Sequence, residues 1–197
     1  MSKIAFIFPG QGAQACGMGK DFYEQTETGK RIFDKATQLM GFSMPQLCFE
    51  ENDRLDITEY TQAAMVTDSI AMMRVLEENG IKPDVAAGLS LGEYCALAAA
   101  GVMSDEDAIR TVRQRGILMQ EAVPVGEGAM AAILALDAAV IEEVTGAMEG
   151  VWIANYNCPG QIVISGEKAA VEEACEKLKA AGAKRAVMLL SLIHISE

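Results

Sequence analysis

A G-x-S-x-G pattern at residues 88–92 is the stretch whose residue types and spacing most directly indicate chemistry. An apolar run, residues 85–87, precedes it and an alanine-rich segment, residues 95–100, follows, so we expect a buried strand that turns at once into a helix. Such a turn exposes the Ser90 hydroxyl at a helix N-terminus, where backbone N–H groups can stabilise an oxyanion. An ordinary Gly-Ser loop could match the same pattern by chance, but the predicted strand, turn and helix around it favour a nucleophilic serine.

A second candidate is Arg115, which lies on the apolar side of a predicted helix that begins near Ser104. Arg110 and Arg113 fall on the opposite side, which we expect to face solvent. A buried guanidinium must be paired, because an isolated buried charge is too costly. Its partner is either a structural carboxylate or the carboxylate of a substrate, to which the arginine fork is well matched. The apolar stripe that Arg115 joins consists of Ala108, Ile109, Val112, Gly116 and Met119.

Two glutamines follow the first predicted strand. Residues 4–8 form a continuous apolar run, as expected for a strand of a buried parallel sheet, and residues 9–14 end it with a proline and two glycines. Ligands of open α/β sheets bind at this end of the strands. The loop is neither a dinucleotide fingerprint nor a phosphate-binding loop. Gln11 and Gln14 are therefore either amide donors to a ligand or ordinary turn residues.

The periodicity predicts an α/β protein in two parts. In residues 1–125 we expect the two strands described above, helices over about 18–40 and 61–78, and the helix of Arg115; Val66, Ile70 and Met73 mark the apolar face of the second helix. Residues 126–189 follow a glycine-containing linker and predict the order β-α-β-β-α-β, a ferredoxin-like unit. Its predicted elements are 129–136, 137–148, 151–158, 161–165, 169–181 and 184–189.

Composition narrows the class of protein. The chain has 197 residues, 51% of them apolar, and a net charge of −12, which disfavours nucleic-acid binding. No apolar run is long enough to span a membrane. Five scattered cysteines without a C-x-x-C pair indicate reduced, mostly buried thiols and no metal site. We therefore expect a soluble cytoplasmic protein.

Five motifs, in the same order, resemble the malonyl-CoA:acyl carrier protein transacylases and the related acyltransferase domains of fatty-acid and polyketide synthases. The resemblance covers the chain from Met1 to about Leu189 and implies an incomplete α/β-hydrolase-like core with an inserted ferredoxin-like subdomain. The motifs are Phe8-Pro9-Gly10-Gln11-Gly12-Ala13-Gln14, Gly88-Leu89-Ser90-Leu91-Gly92-Glu93-Tyr94, Arg115-Gly116 with Met119-Gln120, Gly128-Ala129-Met130, and Asn155-Tyr156-Asn157 with Pro159-Gly160-Gln161.

The resemblance implies a two-step transfer in fatty-acid biosynthesis. Ser90 would take the malonyl group from malonyl-CoA as an ester and pass it to the phosphopantetheine thiol of acyl carrier protein. The backbone N–H groups of Gln11 and Leu91 would form the oxyanion hole, and Arg115 would bind the free carboxylate of malonate. Neither a metal nor a bound cofactor is implied. Supporting residues near the pocket would be Gln62, Asn155 and Asn157.

The chain departs from the family pattern at two places. Leu89 stands where the family often has histidine, and the catalytic base expected after the small subdomain is not recognisable. We interpret residues 190–197, which contain the only histidine, His194, as a non-native tail encoded by a sequencing adapter. Two other functions stay open: a serine esterase or thioesterase, which would not need Arg115, and a non-catalytic module that binds carrier protein.

Overall fold

The computed structural model describes residues 3–122 and 127–189. The chain divides into two compact units between Glu121 and Ala122. The boundary expected at residues 125/126 lies outside the described residues and stays a prediction. The elements of the first unit are β1 (Ala5–Phe8), α1 (Lys20–Gln25), α2 (Glu27–Met40), α3 (Met44–Phe49), α4 (Thr58–Glu78), β2 (Val85–Gly88), α5 (Gly92–Ala99) and α6 (Asp105–Ala122).

The two strands of the first unit are parallel, with Ala5 opposite Val85 and Phe8 opposite Gly88. Side chains alternate between the two faces of a strand. Phe6 and Ala86 pack against the core, and α5 packs against both strands. Because both strands end at the same edge, the loop after β1 and the turn after β2 lie next to each other.

Helix α4 is the centre of the first unit. Val66, Ile70 and Met73 are buried as predicted, but so are Met65 and Thr67 on other sides, because α1, α2, α3 and α5 all contact this helix. A helix that is buried all round has no solvent face to reveal its ends by periodicity. This is why α4 begins at Thr58, three residues earlier than the predicted start.

The helix predicted over residues 18–40 is two helices. Thr26 has an extended backbone that ends α1, and its hydroxyl oxygen accepts a hydrogen bond from the Gly29 N–H, which caps α2. Helix α3, which the sequence analysis did not predict, begins after Ser43, whose hydroxyl accepts from the Gln46 N–H. The break at Thr26 and the short helix α3 both depend on a capping side chain. Helices α1 and α3 have six residues each, which is too short for a clear apolar period.

The second unit contains β3 (Gly128–Leu134), α7 (Ala138–Gly146), β4 (Val151–Cys158), β5 (Gln161–Glu167), α8 (Lys168–Ala180) and β6 (Arg185–Leu189). Its sheet has the order β4-β5-β3-β6 with antiparallel neighbours, so the predicted ferredoxin-like β-α-β-β-α-β arrangement is confirmed. Ile133 and Ile164 of the sheet pack with Ile141 of α7 and Leu178 of α8 to form its core. The mixed α/β class is confirmed as well.

All five cysteines are free, and three of them, Cys48, Cys95 and Cys175, are buried. Burial raises the pKa of the Cys95 thiol to about 12, which keeps it protonated and unreactive. Among residues 3–122 and 127–189, no group of acidic, histidine or cysteine side chains could hold a metal ion. In the same ranges no helix is long and apolar enough to cross a membrane.

One acidic side chain, Asp68 on α4, lies inside the core of the first unit. The residue is 7% exposed, and its Oδ1 has no hydrogen-bond partner among the described residues. It lies so close to Gly19 that a Cβ there would overlap the carboxylate. Loss of hydration raises the pKa of Asp68 to about 6, and the negative charge of Asp21 adds to the shift. Asp68 therefore destabilises the fold when it ionises.

We expect Asp68→Asn to stabilise the chain at pH 8 but not at pH 3. The pKa in the folded chain, about 6, exceeds the unfolded value of about 3.9, so the stability associated with protonated Asp68 is lost as the pH rises through 6. The expected gain at pH 8 is about 2–3 kcal/mol in the free energy of unfolding, measured by urea denaturation. The exposed Asp53→Asn is the matched control. A variant with the same pH dependence as the parent chain would contradict the assignment.

Candidate active site

The predicted turn from strand to helix is present between β2 and α5, with Ser90 at its apex. Ser90 has φ +53°, a left-handed conformation that costs a non-glycine residue about 1–3 kcal/mol. The Leu89 N–H donates to the Phe8 carbonyl at 3.0 Å, and the Glu93 N–H donates to the Ser90 carbonyl at 3.2 Å. The first bond holds the strained turn against β1, the second joins it to the start of α5, and the serine residue is exposed.

Both glycines of the G-x-S-x-G pattern are required by close backbone packing. A Cβ at Gly88 would overlap the carbonyl of Gly92, and a Cβ at Gly92 would lie 2.5 Å from the Phe8 oxygen and 2.7 Å from the Pro9 oxygen. Side chains do not approach backbone atoms so closely, so α5 can begin against the end of β1 only with glycine at these positions. The spacing of the pattern is thus a packing requirement.

The backbone N–H groups of Gln11 and Leu91 are among those near the serine that have no acceptor among the described residues. Leu91 is fully buried and caps the N-terminus of α5, and Gln11 is 7% exposed in the loop after β1. Backbone donors in buried segments are nearly always paired. These are the two groups that the family resemblance implies as oxyanion donors, and that role stays a prediction.

Arg115 lies beside the candidate nucleophile. Its Nη2 donates to the Ser90 Oγ at 3.2 Å, and its Nη1 donates to the Gln62 Oε1 at 2.8 Å. Among the ion pairs of the described residues, no carboxylate lies within 4.0 Å of Arg115. Of the two partners left open by the sequence, the structural carboxylate is therefore absent from the described part of the chain.

Neutral side chains hold this arginine in a buried hydrogen-bonded chain. The Gln62 Nε2 donates to the Gln11 Oε1 at 3.3 Å and lies 3.3 Å from the Met119 Sδ, and the Gln11 Nε2 donates to the Thr58 Oγ1 at 3.0 Å. Gln62 and Thr58 are each 1% exposed. Thr58 is not among the residues predicted from the sequence, because it precedes the predicted start of this helix at residue 61.

The other predicted residues of the loop and the turn have structural roles. The Gln14 Oε1 accepts from the Gly12 N–H at 2.8 Å, and its Nε2 donates to the Asp56 carboxylate at 3.0 Å, so Gln14 closes the loop and ties it to the segment before α4. Leu89, which replaces the frequent histidine, is 52% exposed and packs over Gly10.

The expectation that Arg113 faces solvent is wrong. Its side chain is 19% exposed, and its Nη2 lies 3.0 Å from the Glu59 Oε2. The reason is that α4 begins one turn earlier than predicted and covers this side of α6. Arg110 is exposed as expected.

The remaining candidates belong to the second unit or lie outside the described residues. Asn155 and Asn157 are on β4 of the second unit, where Asn155 is exposed beside a β-bulge and Asn157 is half-buried. His194 and the rest of residues 190–197 are outside the described residues. No histidine lies within the described ranges, so they contain no imidazole base for Ser90.

Comparison with known proteins relates the whole chain to one group. The sequence model of the acyl transferase domain matches residues 5–191. The malonyl CoA-acyl carrier protein transacylase of Bacillus subtilis is 54% identical over 194 residues, which are 96% of this chain and 61% of that protein. The chain thus spans about three fifths of the length of this relative.

Solved structures of malonyl transacylases are similar to this chain as well. The structure of the MCAT from Streptococcus pneumoniae has a TM-score of 0.87 and 48% identity, covering 95% of this chain and 62% of that one. A malonyl-transacylase in complex with a type II PKS acyl-carrier protein has a TM-score of 0.89 and 44% identity, covering 95% and 62% of the two chains.

The packing at the turn predicts that Gly92→Ala destabilises the first unit by about 2–4 kcal/mol, because the new Cβ must displace the end of β1. Calorimetric unfolding measures the loss. Gly146→Ala is the control, since Gly146 ends α7 with nothing within 4 Å of the added Cβ and should be neutral or slightly stabilising. Equal stability of the two variants would show that the contact at Gly92 is not tight.

Proposed function

Since the chain belongs to the acyl transferase domain family, we propose that its first unit takes part in moving a malonyl group from malonyl-CoA to the phosphopantetheine thiol of acyl carrier protein. The observation that carries the proposal is the Arg115 guanidinium, 3.2 Å from the Ser90 Oγ and without a carboxylate partner among the described residues. A serine beside an unpaired cation suits an acyl group that ends in a negative charge.

The reaction proceeds in two acyl transfers. The Ser90 Oγ attacks the thioester carbonyl, the C–S bond breaks, and coenzyme A leaves as the thiol after taking up the proton that the serine loses. The thiol of the carrier protein then attacks the malonyl ester, and the Ser90 hydroxyl is restored. The N–H groups of Gln11 and Leu91 stabilise the oxyanion in both steps. The described residues supply no imidazole for the proton transfers.

The size of the acyl group follows from the position of Arg115. In a malonyl ester the carboxylate carbon is three bonds from the serine oxygen, so a guanidinium that already contacts this oxygen reaches the carboxylate by a small side-chain movement. An acetyl group occupies the same site but leaves the cation unpaired, which disfavours it. Arg115 thereby selects charged acyl groups over neutral ones of similar size.

The names of the relatives support malonyl-CoA and acyl carrier protein as the proposed substrates. The Bacillus subtilis protein is named for malonyl-CoA and acyl carrier protein, and one solved relative is in complex with an acyl-carrier protein. By extension, the reaction belongs to fatty-acid synthesis in the cytoplasm. Gln62 holds Arg115, and the supporting role implied for Asn155 and Asn157 stays a prediction. No metal or cofactor takes part in the proposed steps.

Mass spectrometry of the chain after incubation with malonyl-CoA tests the proposal. We expect one malonyl group on Ser90 and none in Ser90→Ala. In a competition between malonyl-CoA and acetyl-CoA, Arg115→Ala should lower the ratio of malonyl to acetyl ester about 100-fold, because a charge–charge contact of this kind contributes about 2–5 kcal/mol. Arg110→Ala, an exposed arginine of the same helix, should leave the ratio unchanged.

The other two functions give different results. A serine esterase would hydrolyse simple esters at a rate that Arg115→Ala does not change. A non-catalytic module would bind carrier protein without forming any ester on Ser90. Equal malonyl and acetyl labelling of the parent chain would contradict the malonyl assignment.

A further inference from the structure

Helix α6 touches the first turn of α4 through its backbone, immediately next to Arg115. A Cβ at Gly116 would lie 2.9 Å from both the Glu59 Cα and the Thr58 oxygen. Only glycine allows this approach. The backbones of the two helices are therefore in contact here, and the side-chain interactions between α6 and α4 determine whether this contact is kept.

Arg113, one turn before the contact, binds the same turn of α4. Its Nη2 lies 3.0 Å from the Glu59 Oε2, and its Nη1 donates to the Glu59 backbone carbonyl. The guanidinium carbon also lies 4.7 Å from the centre of the Tyr60 ring and 5.5 Å from that of Phe42. Both members of the ion pair are largely shielded, with 19% and 27% of their side chains exposed, so water screens the pair less than a surface pair.

A second arginine stacks on the same two rings. The Arg54 guanidinium carbon is 4.2 Å from the centre of the Tyr60 ring and 5.1 Å from that of Phe42. Contacts of this kind are favourable between a cation and an aromatic ring. The first turn of α4 thus contacts the side chains of Phe42, Arg54 and Arg113, and of these three only Arg113 belongs to α6.

This turn of α4 positions both halves of the candidate active site. Thr58 accepts the hydrogen bond that orients Gln11, and Gln62, one turn further along α4, accepts the bond from Arg115. A shift of α4 relative to α6 at Glu59 would therefore change the separation of Gln62 from Arg115 and move the guanidinium away from Ser90.

We propose that Arg113 is a positioning residue that acts through Glu59 to fix the Arg115 guanidinium beside Ser90, and so sets how strongly charged acyl groups are preferred over neutral ones. The inference rests on the proposed function. Arg113 itself touches neither Ser90 nor Arg115 among the contacts of the described residues, so its effect on the acyl group is transmitted by the helix contact.

The competition between malonyl-CoA and acetyl-CoA on the chain measures the effect. Arg113→Gln should lower the ratio of malonyl to acetyl ester on Ser90 about 10- to 100-fold, since misplacing a binding group by about 1 Å has effects of this size. The rate of acetylation should change less than about twofold. A purely structural loss would reduce both esters together. Arg113→Lys, which keeps the ion pair with Glu59, should restore part of the ratio, and Arg110→Gln should not alter it.

A double-mutant cycle tests the route through Glu59. Glu59→Gln should lower the ratio in the same direction, and the double variant should be no worse than Arg113→Gln alone, because Glu59→Gln breaks an ion pair that Arg113→Gln has already broken. Additive effects on the ratio would overturn the coupling.

Crystal structures of the parent chain and of Arg113→Gln separate this inference from the proposed function. We expect the distance between the Arg115 Nη2 and the Ser90 Oγ to increase beyond hydrogen-bonding range in the variant. An unchanged distance overturns the inference even if Ser90 is malonylated. A displaced guanidinium in a chain whose Ser90 never carries a malonyl group supports the positioning role and overturns the proposed function instead.

Discussion

A guanidinium held beside a serine by neutral groups is the constraint on which the first unit depends. The desolvation of a charge is costly, and a structural carboxylate is the ordinary remedy. Here the oxygens of Gln62 and Ser90 accept from Arg115, so the charge is stabilised by dipoles alone among the described residues. Such an arrangement is stable only if the dipoles cannot turn away. The hydrogen bonds of Gln62 show how one of these dipoles is fixed.

The orientation of Gln62 is fixed by its own hydrogen bonds. An amide has one oxygen that accepts and one nitrogen that donates. The nitrogen of Gln62 faces the Gln11 oxygen and the Met119 sulfur, so its oxygen is left for Arg115. Because Gln62 is 1% exposed on a helix that other helices surround, water does not compete for either atom. The buried position of α4 thereby determines the electrostatics of a site at the end of a neighbouring sheet.

The sequence predicts those features of the site that follow from a local pattern. The turn at Ser90 could be predicted because its glycines are a packing requirement, and Arg115 could be predicted because its helix has a clear apolar stripe. The second unit could be predicted because its strands and helices alternate in period. The start of α4 could not, since Thr58 is buried and Glu59 is partly covered by tertiary contacts that leave no local period. The wrong exposure expected for Arg113 and the missed role of Thr58 both follow from that one error.

The three partly buried arginines of the first unit allow a comparison within the molecule. Arg74 pairs with Asp105 and Glu77, and Arg113 pairs with Glu59, whereas Arg115 has no carboxylate within the described residues. A shortage of acids does not explain the difference, because the chain has 28 acidic residues against 16 basic ones. Arg113 and Arg115 are moreover on the same helix, and both lie within one turn of Gly116, where α6 contacts α4. The arginine left without an acid is the one that touches the candidate nucleophile, as expected if its carboxylate arrives with the substrate.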